Sequence, residues 1–393
     1  MTSRSLTRTL ALAAIVTTTL LTSVPGATAA GRPGPLPPGP LLQRDADAIT
    51  ALGVTGVQAR LTTADGRSLV ATSGVAEVTT GRAVSPDGHF RVASVTKTFV
   101  ATVVLQLVGE GRVSLDDPVE RWLPGVVSGN GNDGRAITVR QLLQHTGGLH
   151  DDYPDYTSAE DFQQHRYDSY TPEQTVARAM AHRPDFRPGE RWQYGNTGYV
   201  LLGMIVERVT GRPWHTEVGE RITGPLGLSH TFRPGASPVL PQPHARSYQR
   251  FGPGEPLVDV TEQVGQGTNG EAGLVSTTAD LNRFFSALLG GELLKPAQLR
   301  EMKRTVKVGK EFGQLMPRAR DGLGLFSRPL SCGGRYWGHE GGDAGWVTAA
   351  AVTADGRRGV TVSLSGVVAD SDSDVLRVEQ AIGKLVDDAL CRP

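Results

Sequence analysis

The sequence predicts a mixed α/β fold of the α+β kind. The two ends of the chain build one antiparallel sheet, and the stretch between them is helical. Three observations carry this. β-rich runs near both ends flank Asp65-Gly66 and Asp355-Gly356, and Asp-Gly between such runs is a strong hairpin signal. Between the hairpins, apolar residues recur at helical spacing and stop at glycines. After the second hairpin a helical period returns and runs almost to the C-terminus.

Taken in order, residues 1–29 read as a secretory signal. Arg4 and Arg8 give a basic start, Leu10 to Leu21 a short apolar core, and Ala27-Thr28-Ala29 a cleavage site. A dozen apolar residues are too few to span a bilayer. The expectation is therefore a secreted, extracellular protein with no membrane span. Residues 30–40, dominated by Pro and Gly, read as a stiff extended linker. A folded domain is expected over 41–393, its sheet part at about 41–93 and 322–393 and its helical part at about 94–321.

Within that domain Val57 to Ser73 reads as the first hairpin and Gly345 to Leu364 as the second. Ser94 to Val108 is apolar at Val95, Phe99, Val103 and Leu107, which predicts a helix ending at Gly109. Thr197 to Thr210 is apolar at Tyr199, Leu202, Ile205, Val206 and Val209, with Asn196 as candidate cap and Gly211 as stop. Further helices are expected at Thr277 to Leu289 and Asp374 to Leu390. Lys plus Arg and Asp plus Glu both count 40, so no net charge attracts nucleic acid or an anionic membrane. The two cysteines, Cys332 and Cys391, are either a disulfide or two free thiols, and export favours the bond.

The candidate chemistry begins at Ser94-Val95-Thr96-Lys97. There are 6 lysines in the 393 residues, and Lys97 alone has a serine three positions before it. On a helix that spacing puts hydroxyl and amine on one face. A serine hydroxyl is a weak nucleophile, and a desolvated lysine that gives up its proton easily can activate it. Tyr194-Gly195-Asn196 is the only Tyr-x-Asn among the 8 tyrosines. Gly338-His339-Glu340-Gly341-Gly342 follows.

Ser-x-x-Lys, Tyr-x-Asn and His-x-Gly in this order resemble the active-site serine family of class C β-lactamases, penicillin-binding D-alanyl-D-alanine carboxypeptidases and related esterases. Phe90-Arg91-Val92-Ala93, Leu142 to Leu149 and Phe186-Arg187-Pro188-Gly189-Glu190 are similar to the family as well. The resemblance implies the β-lactamase/transpeptidase-like fold: an antiparallel sheet flanked by helices, an all-α lobe, and an active site between them. It implies a serine hydrolase domain with Ser94 as nucleophile and no cofactor. Lys97 and Tyr194 are both candidate bases, with Tyr194 also suited to be the acid. Asn196 is expected to hold the acyl part of the substrate. The N–H groups of Ser94 and Gly342 form the oxyanion site, with Gly341 letting the strand come close. His339 stands where most of the family has lysine, which counts against a β-lactamase. Leu330-Ser331-Cys332-Gly333 and Cys391 point to the secreted carboxypeptidase branch, with cell-wall peptidoglycan precursors as substrates.

That branch grips a free C-terminal carboxylate with hydroxyls in the third motif and an upstream arginine. Here those positions fall on Glu340, Gly342 and Phe326, with Glu340 expected either to point away from the cleft or to pair with Arg335. Small peptides, esters and β-lactams all remain as substrate classes. An esterase or D-amino-acid amidase is the alternative to a carboxypeptidase, and a penicillin-binding sensor without turnover is the non-enzymatic one. His145-Thr146-Gly147 repeats the His-x-Gly pattern out of order and reads as a structural turn. His150-Asp151-Asp152 with Asp155 reads as an acidic surface loop. No metal is expected, because the zinc-protease-like His339-Glu340 lacks its second histidine.

Overall fold

The computed structural model describes residues 37–152, 155–265, 267–367 and 370–392. The signal expected over 1–29 and most of the 30–40 linker lie outside these. The linker ends earlier than expected, because helix α1 spans Pro38–Thr50. Its prolines fall in the first turn, where a missing N–H costs nothing. Leu42, Ala46 and Ile49, at helical spacing, are buried beneath it.

Strands β1 (Gly56–Thr62) and β2 (Ser68–Glu77) form the first hairpin. Near the other end come β3 (Phe326–Pro329), β4 (Arg335–Asp343), β5 (Trp346–Thr353) and β6 (Gly359–Ser365). β6 pairs with β1, Gly56 opposite Ser365 and Thr62 opposite Gly359, so the two ends share one sheet. The order β3-β4-β5-β6-β1-β2 is antiparallel throughout, with two-residue strands continuing both edges. The all-buried β6 and the apolar β5 reflect cover on both faces. Val360, Val362 and Leu364 of β6, with Ala349 and Ala351 of β5, pack beneath α1 and the C-terminal helix Asp372–Cys391.

The opposite face meets the helical part, in which α2 spans Thr96–Gly109, α3 Thr197–Thr210 and α4 Thr278–Leu289. The helix closing the chain is α5. Asn282 of α4 ties the layers: its Nδ2 donates to Arg60 O at 2.9 Å, and its Oδ1 accepts from Thr361 Oγ1 at 2.8 Å. α2 is apolar on every side and is buried on every side, and Phe99 stacks on Phe284. The helix expected to begin at Ser94 begins at Thr96. Residues Ala93–Val95 form a 3₁₀ turn, with Ala93 at φ +47°. An alanine in the left-handed region carries backbone strain of about 1–3 kcal/mol, and such strain gathers at functional turns.

β4 runs directly past that turn. A Cβ on Gly341 would lie 2.3 Å from Val92 O and 2.9 Å from Ser94 N, so only glycine lets the strand approach. Where β4 begins, Cys332 is bonded to Cys391 of α5, with Cα atoms 5.5 Å apart. The bridge closes a sequence separation of 59 residues, worth about 4 kcal/mol in the chain-entropy description. Reduction, or Cys391→Ser, should therefore lower the thermal midpoint by several degrees while Ser94 keeps its reactivity. An unchanged melting curve under reducing conditions would refute this contribution.

Candidate active site

The 3₁₀ turn and the first turn of α2 set Ser94 and Lys97 side by side. Lys97 Nζ lies 2.9 Å from Ser94 Oγ, 2.8 Å from Asn196 Oδ1 and 2.8 Å from the Glu271 carbonyl. The lysine is fully buried. Burial lowers its pKa to about 8, against the opposing pull of the Glu271 and Asp151 carboxylates. The neutral amine keeps two N–H groups and one lone pair. Amide and peptide carbonyl oxygens only accept, so the two N–H groups serve Asn196 and Glu271. The lone pair is left to face the Ser94 hydroxyl, which can donate to it.

Tyr194 lies above this pair, its ring centroid 5.0 Å from Lys97 Nζ. Burial pushes its phenol well above the usual range, an effect only partly offset by hydrogen bonding to Ser94. It is a neutral O–H at any ordinary pH. Its ring is held among His145 at 4.5 Å, Phe312 at 5.6 Å and Phe326 at 6.4 Å between centroids. His145 is thus more than the expected turn. It does take φ +55°, but its ring also buttresses Tyr194, and its Nδ1 accepts the Gly195 N–H at 3.3 Å. Burial and the nearby Lys97 keep it neutral.

The acidic segment at 150–155 also differs from a surface loop. Asp151 turns inward and accepts four hydrogen bonds: from the Asn196 and Thr197 backbone N–H groups (2.8 Å each), Thr197 Oγ1 (2.9 Å) and Asn196 Nδ2 (3.0 Å). Asp151, not the expected Asn196, therefore caps α3. The same bonds orient the Asn196 amide, oxygen toward Lys97 and nitrogen toward Asp151, leaving one N–H without a partner among the described residues. Asp152 pairs with Arg178 at 2.9 Å, and Asp155 is exposed at the cleft rim.

Alternation along β4 sorts the third motif by face. Gly341 abuts the Ser94 turn, so His339 and Asp343 share its face. Glu340 and Gly342 belong to the other, where Glu340 meets Glu379 of α5. His339 is buried and its Nδ1 lies 2.5 Å from the Glu340 carbonyl. A carbonyl only accepts, so Nδ1 carries the proton and Nε2 is bare. Burial and the Lys97 charge lower its pKa to about 3, so the residue in the lysine position brings no charge. Glu340 does not pair with Arg335, which binds Ser327 instead. Its partners are Arg328, 3.6 Å away, and Glu379. Burial and the neighbouring Glu340 raise Glu379 to about 8, so the two carboxyls hold a proton between them. Ser94, Tyr194, Asn196, His339, Glu340, Gly341 and Gly342 all line one cleft of about 630 Å³. Among the described residues no group of three or more His, Cys, Asp or Glu is placed to hold a metal ion, and no helix is long and apolar enough to cross a membrane.

The family model described as Beta-lactamase matches residues 44–382. The chain belongs to the beta-lactamase family. Among curated members it is 28% identical over 289 residues to Penicillin-binding protein 4* of Bacillus subtilis, covering 70% of this chain and 60% of that protein. It is 28% identical over 268 residues to Esterase EstB of Burkholderia gladioli, covering 60% and 66%. The chain thus spans about two thirds or less of the length of these relatives. Among solved structures, a D-stereospecific amidohydrolase from Streptomyces sp. is 41% identical with a TM-score of 0.79, over 87% of this chain and 98% of that one. D-amino acid amidase from Ochrobactrum anthropi, crystallised with L-phenylalanine amide, is 28% identical with a TM-score of 0.73, over 88% and 99%. The beta-lactamase family fold accounts for the antiparallel sheet, its flanking helices and the meeting of the three motifs in one cleft.

Because the neutral lysine is the form that faces Ser94 with a lone pair, reactivity should rise with pH. Labelling of Ser94 by a fluorophosphonate is expected to increase through a midpoint near pH 8 and level off above it. Asp151→Asn removes a negative charge that favours the ammonium, so the midpoint should move to lower pH. Glu379→Gln, which removes the other group near 8, should leave it in place. A pH-independent labelling rate would refute this ionisation.

Proposed function

We propose that the protein is a serine hydrolase working through an acyl-enzyme on Ser94, and that it cleaves amide or ester bonds of D-configured acyl groups whose leaving part carries no carboxylate. One observation carries the chemistry: a buried lysine whose Nζ lies 2.9 Å from Ser94 Oγ and within 2.8 Å of two carbonyl oxygens, so that in the neutral amine the lone pair is left for the serine. As Oγ attacks the carbonyl carbon, its proton passes to Lys97 Nζ. The developing oxyanion is taken by the N–H groups of Ser94 and Gly342. Tyr194, neutral at the outset, gives its proton to the leaving nitrogen or oxygen, and the Lys97 ammonium, which holds the proton taken from Ser94, reprotonates the phenolate. Water then follows the same route in reverse and releases the acid. The remaining N–H of Asn196 holds the acyl group.

The cleft supports the substrate class. Asp155, Glu340, Asp343 and Glu379 line it, and among the described residues no lysine or arginine does. A terminal carboxylate entering such a cleft finds no unengaged cation among these residues, and the exposed Asp155 presents like charge, at about 1–4 kcal/mol for a pair near 4 Å. Arg328, 3.6 Å from Glu340, is already engaged by it. This favours the amidase or esterase reading over a D-alanyl-D-alanine carboxypeptidase. The D configuration is supported by the likeness to the Streptomyces and Ochrobactrum enzymes. Export, read from residues 1–29, is part of the same proposal.

Two results test it together. Ser94→Ala should abolish the acyl adduct seen by intact-mass measurement with an aryl ester, and Lys97→Ala should slow its formation by about 10²-fold or more. Wild-type protein should hydrolyse D-phenylalanine amide at least about tenfold faster, in kcat/KM, than a peptide ending in D-Ala-D-Ala or the L-amide. Efficient D-alanine release would reinstate the carboxypeptidase reading, and an adduct on another serine would reject the mechanism.

A further inference from the structure

Beyond Gly341, on the face of β4 that meets Ser94, the cleft ends in a group of polar side chains that the chemistry above leaves unused. Asp343 closes β4 opposite Trp346 of β5. Its Oδ1 accepts the Ala344 N–H at 2.8 Å, and Arg91 faces it from behind. Asp343, Trp346, Tyr156 and the exposed Asp155 all line the cleft. Tyr156 is 7% exposed and Trp346 1% exposed, yet Tyr156 Oη and Trp346 Nε1 have no hydrogen-bond partner among the described residues. Arg91 Nε and Gln263 Oε1 beside them are in the same condition. A buried polar atom without a partner costs about 1–3 kcal/mol, and such atoms are rare in folded proteins. Their gathering at one end of a substrate cleft calls for a group that completes them.

The atoms restrict what that group is. Trp346 Nε1 only donates, Tyr156 Oη donates or accepts, and the carboxylates only accept. An ammonium would suit Asp343 but leave the indole N–H unpaired. A carboxylate would suit the indole but confront Asp343 and Asp155. A neutral amide satisfies both kinds of atom, its N–H donating to Asp343 and its carbonyl accepting from Trp346 or Tyr156. This end lies across the Ser94–Gly341 crossing from Glu340, the residue at the leaving-group position, and so belongs to the acyl side.

We propose that Asp343, Tyr156 and Trp346 form an acyl-side subsite for a second amide group, so that the preferred substrates are N-acylated or peptidyl D-amino acid derivatives rather than free D-amino acid amides. This rests on the acyl-enzyme reading of the cleft, but its test does not depend on turnover. Binding to the Ser94→Ala protein is measured by calorimetry for N-acetyl-D-phenylalanine amide, D-phenylalanine amide and N-succinyl-D-phenylalanine amide. The N-acetyl compound should bind about tenfold or more tightly than either of the others. Tyr156→Phe, which removes one oxygen, should cut that advantage about fivefold, as expected for one hydrogen bond. The indole N–H resonance of Trp346 should shift on adding the N-acetyl compound, a readout that needs no second variant. Equal or tighter binding of the free amine would overturn the proposal. So would an advantage unchanged by Tyr156→Phe together with a stationary Trp346 signal, since the orphan atoms would then be served by water alone. Failure to hydrolyse any D-amide, with the binding preference intact, would overturn the proposed reaction and leave the subsite standing.

Discussion

The arrangement around Ser94 depends on one buried amine. Lys97 has no access to water, and a charged ammonium in that position is held by two carbonyl oxygens and the serine hydroxyl, with the Glu271 and Asp151 carboxylates favouring the charge from further off. Everything that touches it limits where its electrons point. Asn196 is locked by Asp151, Glu271 contributes a backbone carbonyl, and Tyr194 and His145 add neutral rings. These groups all come from the helical part, and the sheet part reaches the lysine through His339 of β4, so the reactive state of the lysine reports on the docking of the two layers. Moving β4 away from the 3₁₀ turn would rehydrate Lys97 and raise it toward an ordinary ammonium.

Much of this was legible in the sequence because the chemistry is locally encoded. Ser94 and Lys97 are one helical turn apart, Tyr194 and Asn196 lie just before the start of a helix, and His339 to Gly342 lie on one strand. Both Asp-Gly hairpins formed where expected, and α3 ended at Gly211 in the left-handed conformation that a helix stop needs. What escaped was what depends on distant packing. Asp151 sits 45 residues before the Asn196 it orients, in a run whose charge reads as surface. Glu379 reaches Glu340 from the C-terminal helix, and no periodicity announces that. α1 was hidden by the Pro and Gly content of residues 30–40, although the apolar spacing from Leu42 to Ile49 was there to be read. Ala93 gives no sign in the sequence of its left-handed backbone, since alanine is not a residue that signals it.

The two faces of β4 divide the work of the cleft. His339, Gly341 and Asp343 look toward the nucleophile, where bulk, close approach and hydrogen bonding matter. Glu340 looks toward α5, where its charge is absorbed by Arg328 and Glu379. The acid at this position therefore does not confront the reacting atoms directly. It lies on the rim of the cleft, while the neutral His339 adds no positive charge of its own to the centre. On the proposed function, exchanging side chains along a single strand is what turns the cleft toward uncharged leaving groups.

The pairing of β1 with β6 has a consequence for how the chain is made. Gly56 and Ser365 meet at a sequence separation of 309, and α1 cannot cover its apolar face until α5 exists to pack beside it. The first hairpin therefore spends nearly the whole of synthesis as a two-stranded ribbon with an open edge, the least stable form a sheet takes. Contacts this remote in sequence also form slowly. Until the final helix is released, the nascent polypeptide remains an unfinished chain, open to chaperones, proteases or transport machinery, and acquires its architecture only as a whole.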